Sequence, residues 1–145
     1  MNAPRLKPRI LLIEDDPHRI AHFRQWLTEP FVLIEATTGG QAMGVLQFGA
    51  EGIAGICLDH DLNTNAKTAS DQWTSGSDVV TVICNKVPRT IPILVHSMNA
   101  VKGHEMARRL NGAGFSVTRI RWVALTSENF GQWLSDVRDD LDTDW

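Results

Sequence analysis

Five short apolar runs alternate along this chain with five segments whose apolar residues recur at helical spacing, and this alternation constrains the fold more than any other feature. The runs predict buried strands at residues 9–13, 31–34, 53–58, 91–95 and 115–123. The intervening and final segments predict helices at residues 17–29, 39–48, 76–86, 99–111 and 130–141. Alternating strands and helices form right-handed crossovers. The sequence therefore predicts a doubly wound α/β domain: a five-stranded parallel sheet with helices on both faces.

The length of 145 residues is typical of one domain. We expect a single domain over residues 1–145, with an N-terminal extension at 1–8, a long polar loop at 63–75 and an acidic tail at 139–145. Long loops inside compact domains are often functional. Trp73 in this loop could stack on a base or anchor the loop to the core.

Composition and charge narrow the class of protein. No apolar run is long enough to span a bilayer, and we expect a cytoplasmic protein. Cys57 lies in an apolar run and Cys84 in a predicted helix, which favours reduced thiols over a disulfide. The net charge of −3 argues against broad DNA binding, although it leaves room for docking a short RNA end.

Polar residues follow the first, third and fourth predicted strands directly. They are Glu14, Asp15 and Asp16 after the first, Asp59, His60 and Asp61 after the third, and His96, Ser97 and Asn99 after the fourth. In a flavodoxin-like sheet of strand order 2-1-3-4-5, the carboxyl ends of these strands are neighbours and form the ligand site. Carboxylates gathered there suit Mg²⁺ or Mn²⁺, and two imidazoles suit proton transfer.

Several of these residues also have structural interpretations. Asp16 before Pro17 could be only a helix cap, and Asn99 could be another. A lone histidine at a strand end is more often structural, but two beside carboxylates favour chemistry. Arg119 or Arg121 could reach a phosphate or form a surface ion pair. Trp122 could simply pack, and the remaining histidines are expected at the surface without a role: His18, His22 and His104.

The polar pattern resembles the receiver domain of response regulators over nearly the whole chain. The resemblance implies that Asp15-Asp16 binds Mg²⁺, that Asp59 accepts a phosphoryl group, and that Ser97 contacts this group. Receivers have a Lys-Pro pair after strand five, where this chain has Arg121-Trp122. Its loop after Asp59 is also longer than receivers usually need. These departures argue against a simple phosphorylation switch.

Three stretches of the sequence are more similar to the cyclic-phosphate processing receiver domain, a divergent branch of the receivers. They are Leu58–Leu62, Gly76–Val79 and His96–Ala100, and the last is followed by Gly103 and Met106. This resemblance implies processing of cyclic phosphate ends of RNA. The active residues that it implies are Asp15, Asp16, Asp59, His60, Asp61, His96, Ser97 and Asn99.

The leading hypothesis is a metal-assisted phosphoesterase that acts on the 2′,3′-cyclic phosphate of an RNA end or nucleotide. In this hypothesis the ligands of Mg²⁺ or Mn²⁺ are Asp15, Asp16, Asp59 and Asp61, the catalytic residues are His60, His96 and Asp59, and the phosphate-binding residues are Ser97, Asn99 and Arg121. The sequence leaves open which histidine is acid and which is base, and a homo-oligomer is possible. The alternatives are a noncanonical receiver phosphorylated on Asp59 and a non-catalytic interaction module.

Overall fold

A computed structural model describes residues 7–48, 51–62 and 75–144, with side chains described up to residue 141. Five parallel strands form one sheet in the order β2-β1-β3-β4-β5. The strands are β1 Arg9–Ile13, β2 Val32–Ala36, β3 Ile53–Leu58, β4 Ile93–Val95 and β5 Val117–Arg119. This topology confirms the predicted flavodoxin-like fold and places β1 and β3 side by side at the centre.

Helices cover both faces of the sheet. They are α1 Pro17–Trp26, α2 Gly39–Phe48, α3 Gly76–Lys86, α4 Ala100–Gly112 and α5 Ser127–Asp144. Residues of α2, α3 and α4 share one buried cluster with Leu11 and Ile13 of β1, whereas α1 and α5 share the opposite cluster with Ile10 and Leu12. Alternate side chains of a strand point to opposite faces, so a single apolar run supplies both cores.

The fifth strand is shorter than its apolar run predicted. Residues 115–123 were expected to form it, but only Val117–Arg119 pairs with β4, which itself has three residues. The chain then turns into a 3₁₀ helix, Trp122–Ala124, in which the N–H of Leu125 donates to the carbonyl of Trp122 at 3.0 Å. The predicted fourth strand likewise loses its first two residues. The β-propensity of an apolar run does not indicate the length of the strand with which it pairs.

Some sequence predictions fall on residues that are not described. The described ranges leave out most of the N-terminal extension and residues 63–74 of the polar loop, which include Trp73. In the acidic tail, α5 continues to Asp144. Cys57 and Cys84 are both free, as expected. Among the described residues, none of the helices combines the length and apolar character that crossing a membrane requires.

Candidate functional site

Backbone hydrogen bonds continue one residue beyond the central strands and align the first polar residues at the carboxyl edge of the sheet. Asp59 donates its N–H to the carbonyl of Ile13 at 3.0 Å, and His96 donates to the carbonyl of Leu58 at 3.1 Å. Glu14, directly after Ile13, donates its N–H to the carbonyl of Ala36, the last residue of β2, which pairs with the other side of β1. The sheet ladder itself therefore brings Glu14, Asp59 and His96 together.

Three buried carboxylates form what we call the acidic cluster: Glu14, Asp15 and Asp59. Each offers one oxygen, and these oxygens all lie within 4.8 Å of one another. Their exposed fractions are 0%, 1% and 1%. One oxygen of Asp59, Oδ2, is buried without a hydrogen-bond partner among the described residues. An oxygen-only donor set with an unsatisfied buried oxygen fits a hard divalent cation such as Mg²⁺.

Burial changes the protonation of two members of this cluster. Loss of solvation raises the pKa of Glu14 to about 7, an effect that the positive charge of Arg19 partly offsets. Loss of solvation, followed by repulsion from Glu14, also raises the pKa of Asp59 to about 7. Ionised carboxylates are therefore costly here unless positive charge compensates them.

Arg19 of α1 supplies positive charge to the acidic cluster. Its Nε lies 3.2 Å from Oε1 of Glu14, and its terminal nitrogen lies 3.9 Å from Oδ2 of Asp59. The guanidinium carbon also lies 6.0 Å from the centre of the Trp122 ring. Sequence reasoning missed Arg19. The Asp16-Pro17 helix start indicates that Arg19 lies in the first turn after strand β1, but it does not indicate which way that side chain points.

His96 is entirely enclosed. Its Nε2 lies 3.2 Å from Oε1 of Glu14, its ring contacts Phe23 at a centroid distance of 4.8 Å, and it is 1% exposed. Burial lowers the pKa of His96 to about 4, so the imidazole is neutral at pH 7. Its Nδ1 has no hydrogen-bond partner among the described residues. This environment suits a residue that orients Glu14 better than one that releases a proton at neutral pH.

His60 has a different environment from that of His96. Its Nδ1 lies 2.9 Å from Oδ1 of Asp61, and its side chain is 14% exposed. The backbone N–H of His60 also donates to Oδ1 of Asp59 at 2.8 Å, which ties the histidine to the acidic cluster. A carboxylate on Nδ1 fixes the ring and leaves Nε2 for proton transfer, an arrangement that recurs in catalytic histidines.

Ser97 and Asn99 lie at the start of α4. The N–H of Asn99 donates to Oγ of Ser97 at 3.1 Å, and Oδ1 of Asn99 accepts the N–H of Lys102 at 3.0 Å. Asn99 is therefore the helix cap. The Ser97 hydroxyl proton and the Asn99 amide hydrogens remain chemically able to donate to an anion at this helix N-terminus.

Gly76 lets α3 approach the site closely. A Cβ at this position would lie 2.6 Å from both the carbonyl oxygen of Asp59 and Cα of His60, and 2.9 Å from Sδ of Met106. The N–H of Gly76 donates to the carbonyl of His60 at 2.8 Å. The glycine therefore fixes the backbone that carries two of the candidate residues.

Three predicted site residues lie apart from the acidic cluster. Asp16 caps α1, accepting the N–H of His18 at 2.8 Å, and its side chain is 42% exposed. Asp61 is exposed and pairs with His60. Arg121 is exposed at the start of the 3₁₀ helix and forms no ion pair with any residue in the described ranges.

One histidine differs from the expectation for surface residues. His22 is half-buried, with its ring 5.2 Å from Trp26 and 5.7 Å from Trp122, and the two tryptophan rings stack at 5.8 Å. The surface prediction failed because α1 packs against the 3₁₀ helix, which the sequence did not predict. Trp122 thus packs against α1, one of the roles considered for it.

Receiver domains are among the solved structures with the same fold. The signal receiver domain of an HD-domain-containing protein from Pseudomonas fluorescens has a TM-score of 0.70 and 14% identity, covering 99% of this chain and 97% of that one. A CheY-like receiver domain from Methanospirillum hungatei has a TM-score of 0.69 and 14% identity, covering 94% and 98%. These likenesses establish the fold.

A third receiver structure contains a metal ion. This receiver domain, from a sensor histidine kinase of Pseudomonas aeruginosa, has a magnesium ion coordinated in its active site cleft. It has a TM-score of 0.62 and 18% identity, covering 90% of this chain and 97% of that one. No curated protein sequence matches this chain.

The family comparison is more specific than the fold comparison. The family model described as the cyclic-phosphate processing receiver domain matches residues 10–112, which include the acidic cluster, His60, His96 and Asn99. This chain belongs to the family of cyclic-phosphate processing receiver domains.

Proposed function

We propose that this domain is a metal-assisted phosphoesterase that opens a 2′,3′-cyclic phosphate at an RNA end or on a nucleotide. The observation that carries the proposal is the acidic cluster, three buried carboxylates with an unsatisfied oxygen, beside a histidine that a carboxylate orients. Membership of the cyclic-phosphate processing family supports the substrate class.

Glu14, Asp15 and Asp59 would hold the divalent ion, with Mg²⁺ or Mn²⁺ matching their oxygen donors. When bound, such an ion supplies charge neutralisation for the phosphate and favours ionisation of a nearby water. Asp16 and Asp61 lie outside the acidic cluster, and we assign them instead to capping α1 and orienting His60.

His60 is the residue that we assign to proton transfer. It would take a proton from the attacking water as the new oxygen–phosphorus bond forms and one phosphorus–oxygen bond of the ring breaks. The same proton can then pass to the ribose oxygen that leaves, so the products are a phosphomonoester and a free hydroxyl. His96 would orient Glu14 rather than transfer a proton, because it is buried and neutral.

Ser97 and Asn99 would donate hydrogen bonds to phosphate oxygens at the α4 N-terminus. Arg19 would add positive charge from the α1 side, the role that the sequence hypothesis gave to Arg121. The proposed pocket thus has hydrogen-bond donors from both α4 and α1 beside the carboxylates.

A steady-state assay with nucleoside 2′,3′-cyclic phosphate and Mg²⁺ tests these roles. His60→Gln should lower kcat at least about 100-fold and leave Mg²⁺ affinity unchanged. His96→Phe should weaken Mg²⁺ binding because Glu14 loses its hydrogen-bond partner. Arg138→Gln is the control, since Arg138 is exposed on α5, away from the proposed site. Full activity in His60→Gln would refute the proposed proton transfer.

A second function, phosphorylation of Asp59, is supported by the position of this residue at the end of β3 in a receiver fold. Incubation with acetyl phosphate and Mg²⁺ followed by intact-mass measurement distinguishes the two. The phosphoesterase proposal expects no added phosphoryl group. A mass increase that Asp59→Asn abolishes, together with absent turnover, would favour signalling.

A further inference from the structure

A groove of about 580 Å³ runs between α4 and the edge strand β5, outside the acidic cluster. Its lining includes Ala100, Val101, His104, Arg108 and Arg119. A second hollow of about 360 Å³ continues the groove along α4, sharing His104, Arg108 and Arg119 with the first. From Ala100 to Asn111, the groove follows the helix for about 16 Å.

The groove carries positive charge that its surroundings do not neutralise. Arg108 and Arg119 are exposed, and neither forms an ion pair with any residue of the described part of the chain. Glu105, an acidic residue in the lining, lies 3.6 Å from the Lys102 ammonium, which offsets its charge. Two guanidinium groups in the lining, one from α4 and one from β5, are suited to oxyanions because each presents several N–H donors.

The groove begins beside the proposed phosphate site. Ala100 and Val101 lie in the first turn of α4, directly after Asn99, which caps this helix. Ser97 lies two residues before this cap. A chain whose terminal phosphate contacted Ser97 and Asn99 could therefore continue along α4 toward the two arginines. An acidic protein segment would satisfy the charge but not this continuity.

We propose that this groove binds the phosphodiester backbone of the RNA strand whose cyclic end enters the proposed active site. The inference rests on the proposed function and makes the substrate an oligonucleotide rather than a free nucleotide. The net charge of −3 disfavours broad binding of nucleic acid, so we expect contact over a short stretch beside the end.

Binding of the intact protein to a fluorescent oligoribonucleotide with a 2′,3′-cyclic phosphate end tests the groove by anisotropy. A second oligonucleotide with a 3′-hydroxyl end makes the binding readout independent of turnover. Arg108→Glu and Arg119→Glu together should weaken binding of both oligonucleotides about tenfold or more, and should reduce the salt slope by about 0.7 for each lost phosphate contact. Arg138→Glu, an exposed change on α5 across the sheet, should leave binding unchanged.

The result separates failure of the groove from failure of the proposed function. Unchanged oligonucleotide affinity in the double variant would overturn the groove, even if cyclic phosphates are hydrolysed. A selective loss of oligonucleotide binding supports the groove, even if neither substrate is turned over. If the double variant instead keeps its RNA affinity and changes the sedimentation coefficient of the protein, the groove is a contact between copies and the proposal is wrong.

Discussion

Replacing Arg19 with Gln should destabilise the metal-free domain and increase its affinity for Mg²⁺. The guanidinium lies 3.2 Å from Glu14 and 3.9 Å from Asp59, two of the proposed metal ligands. A divalent ion at the acidic cluster must replace part of this pairing. Arg19 therefore competes with the ion for these carboxylates, and its removal ends the competition.

The magnitude follows from the distances. At 3.9 Å and an effective dielectric constant of about 20, Arg19 attracts the Asp59 carboxylate by about 4 kcal/mol, before desolvation is subtracted. Protonation of the carboxyls relieves part of the loss, since their pKa values are already near neutrality. We expect a decrease of about 1–3 kcal/mol in the free energy of unfolding. If removing Arg19 makes the free energy of Mg²⁺ binding about 1–2 kcal/mol more favourable, Mg²⁺ affinity rises about 5- to 30-fold in the variant.

Urea unfolding measures the first effect and titration calorimetry with Mg²⁺ measures the second. Arg24→Gln is the matched control, because Arg24 lies on the same helix but pairs with Glu35 at the surface. The control should lose little stability and bind Mg²⁺ like the unaltered protein. Equal or weaker Mg²⁺ binding by Arg19→Gln would refute the competition argument.

Three further predictions concern the same site. Mg²⁺ affinity should increase from pH 6 to pH 8, because Glu14 and Asp59 have pKa values raised to about 7 and must release protons to bind the ion. A constant affinity in calorimetry at several pH values would contradict this prediction. Gly76→Ala should cost about 1–3 kcal/mol in urea unfolding and reduce turnover, whereas Gly112→Ala, with open space around its Cβ, should do neither. His96→Phe should keep the fold and weaken Mg²⁺ binding, and unchanged binding in calorimetry would exclude the orienting role.

The alternation of strands and helices predicted a parallel sheet, and the strand order of flavodoxin-like folds, taken by analogy, then predicted the edge where the polar residues gather. The pairing of His96 with Glu14 was within reach of the same reasoning. Glu14 follows Leu12 by two residues and His96 follows Leu94 by two, so both continue onto the face that α1 covers. Sequence reasoning placed both residues after their strands but did not use this parity.

Other features depend on tertiary packing and could not be predicted. Arg19 enters the site only because α1 returns across the end of β1, and a helix start alone does not specify how that helix is rotated. The aromatic contacts of His22 depend on the 3₁₀ helix after β5. The clearance at Gly76 depends on the distance between α3 and the Asp59–His60 backbone, which no local pattern encodes.

Phosphorus NMR of a nucleoside 2′,3′-cyclic phosphate incubated with the protein and Mg²⁺ tests the central claim most directly. We predict that the cyclic resonance is replaced by a monoester resonance, and that a chelator or Asp59→Asn stops this conversion. A cyclic resonance that persists with both Mg²⁺ and Mn²⁺, for the nucleotide and for an oligoribonucleotide with the same end, would contradict the assignment of phosphoesterase activity.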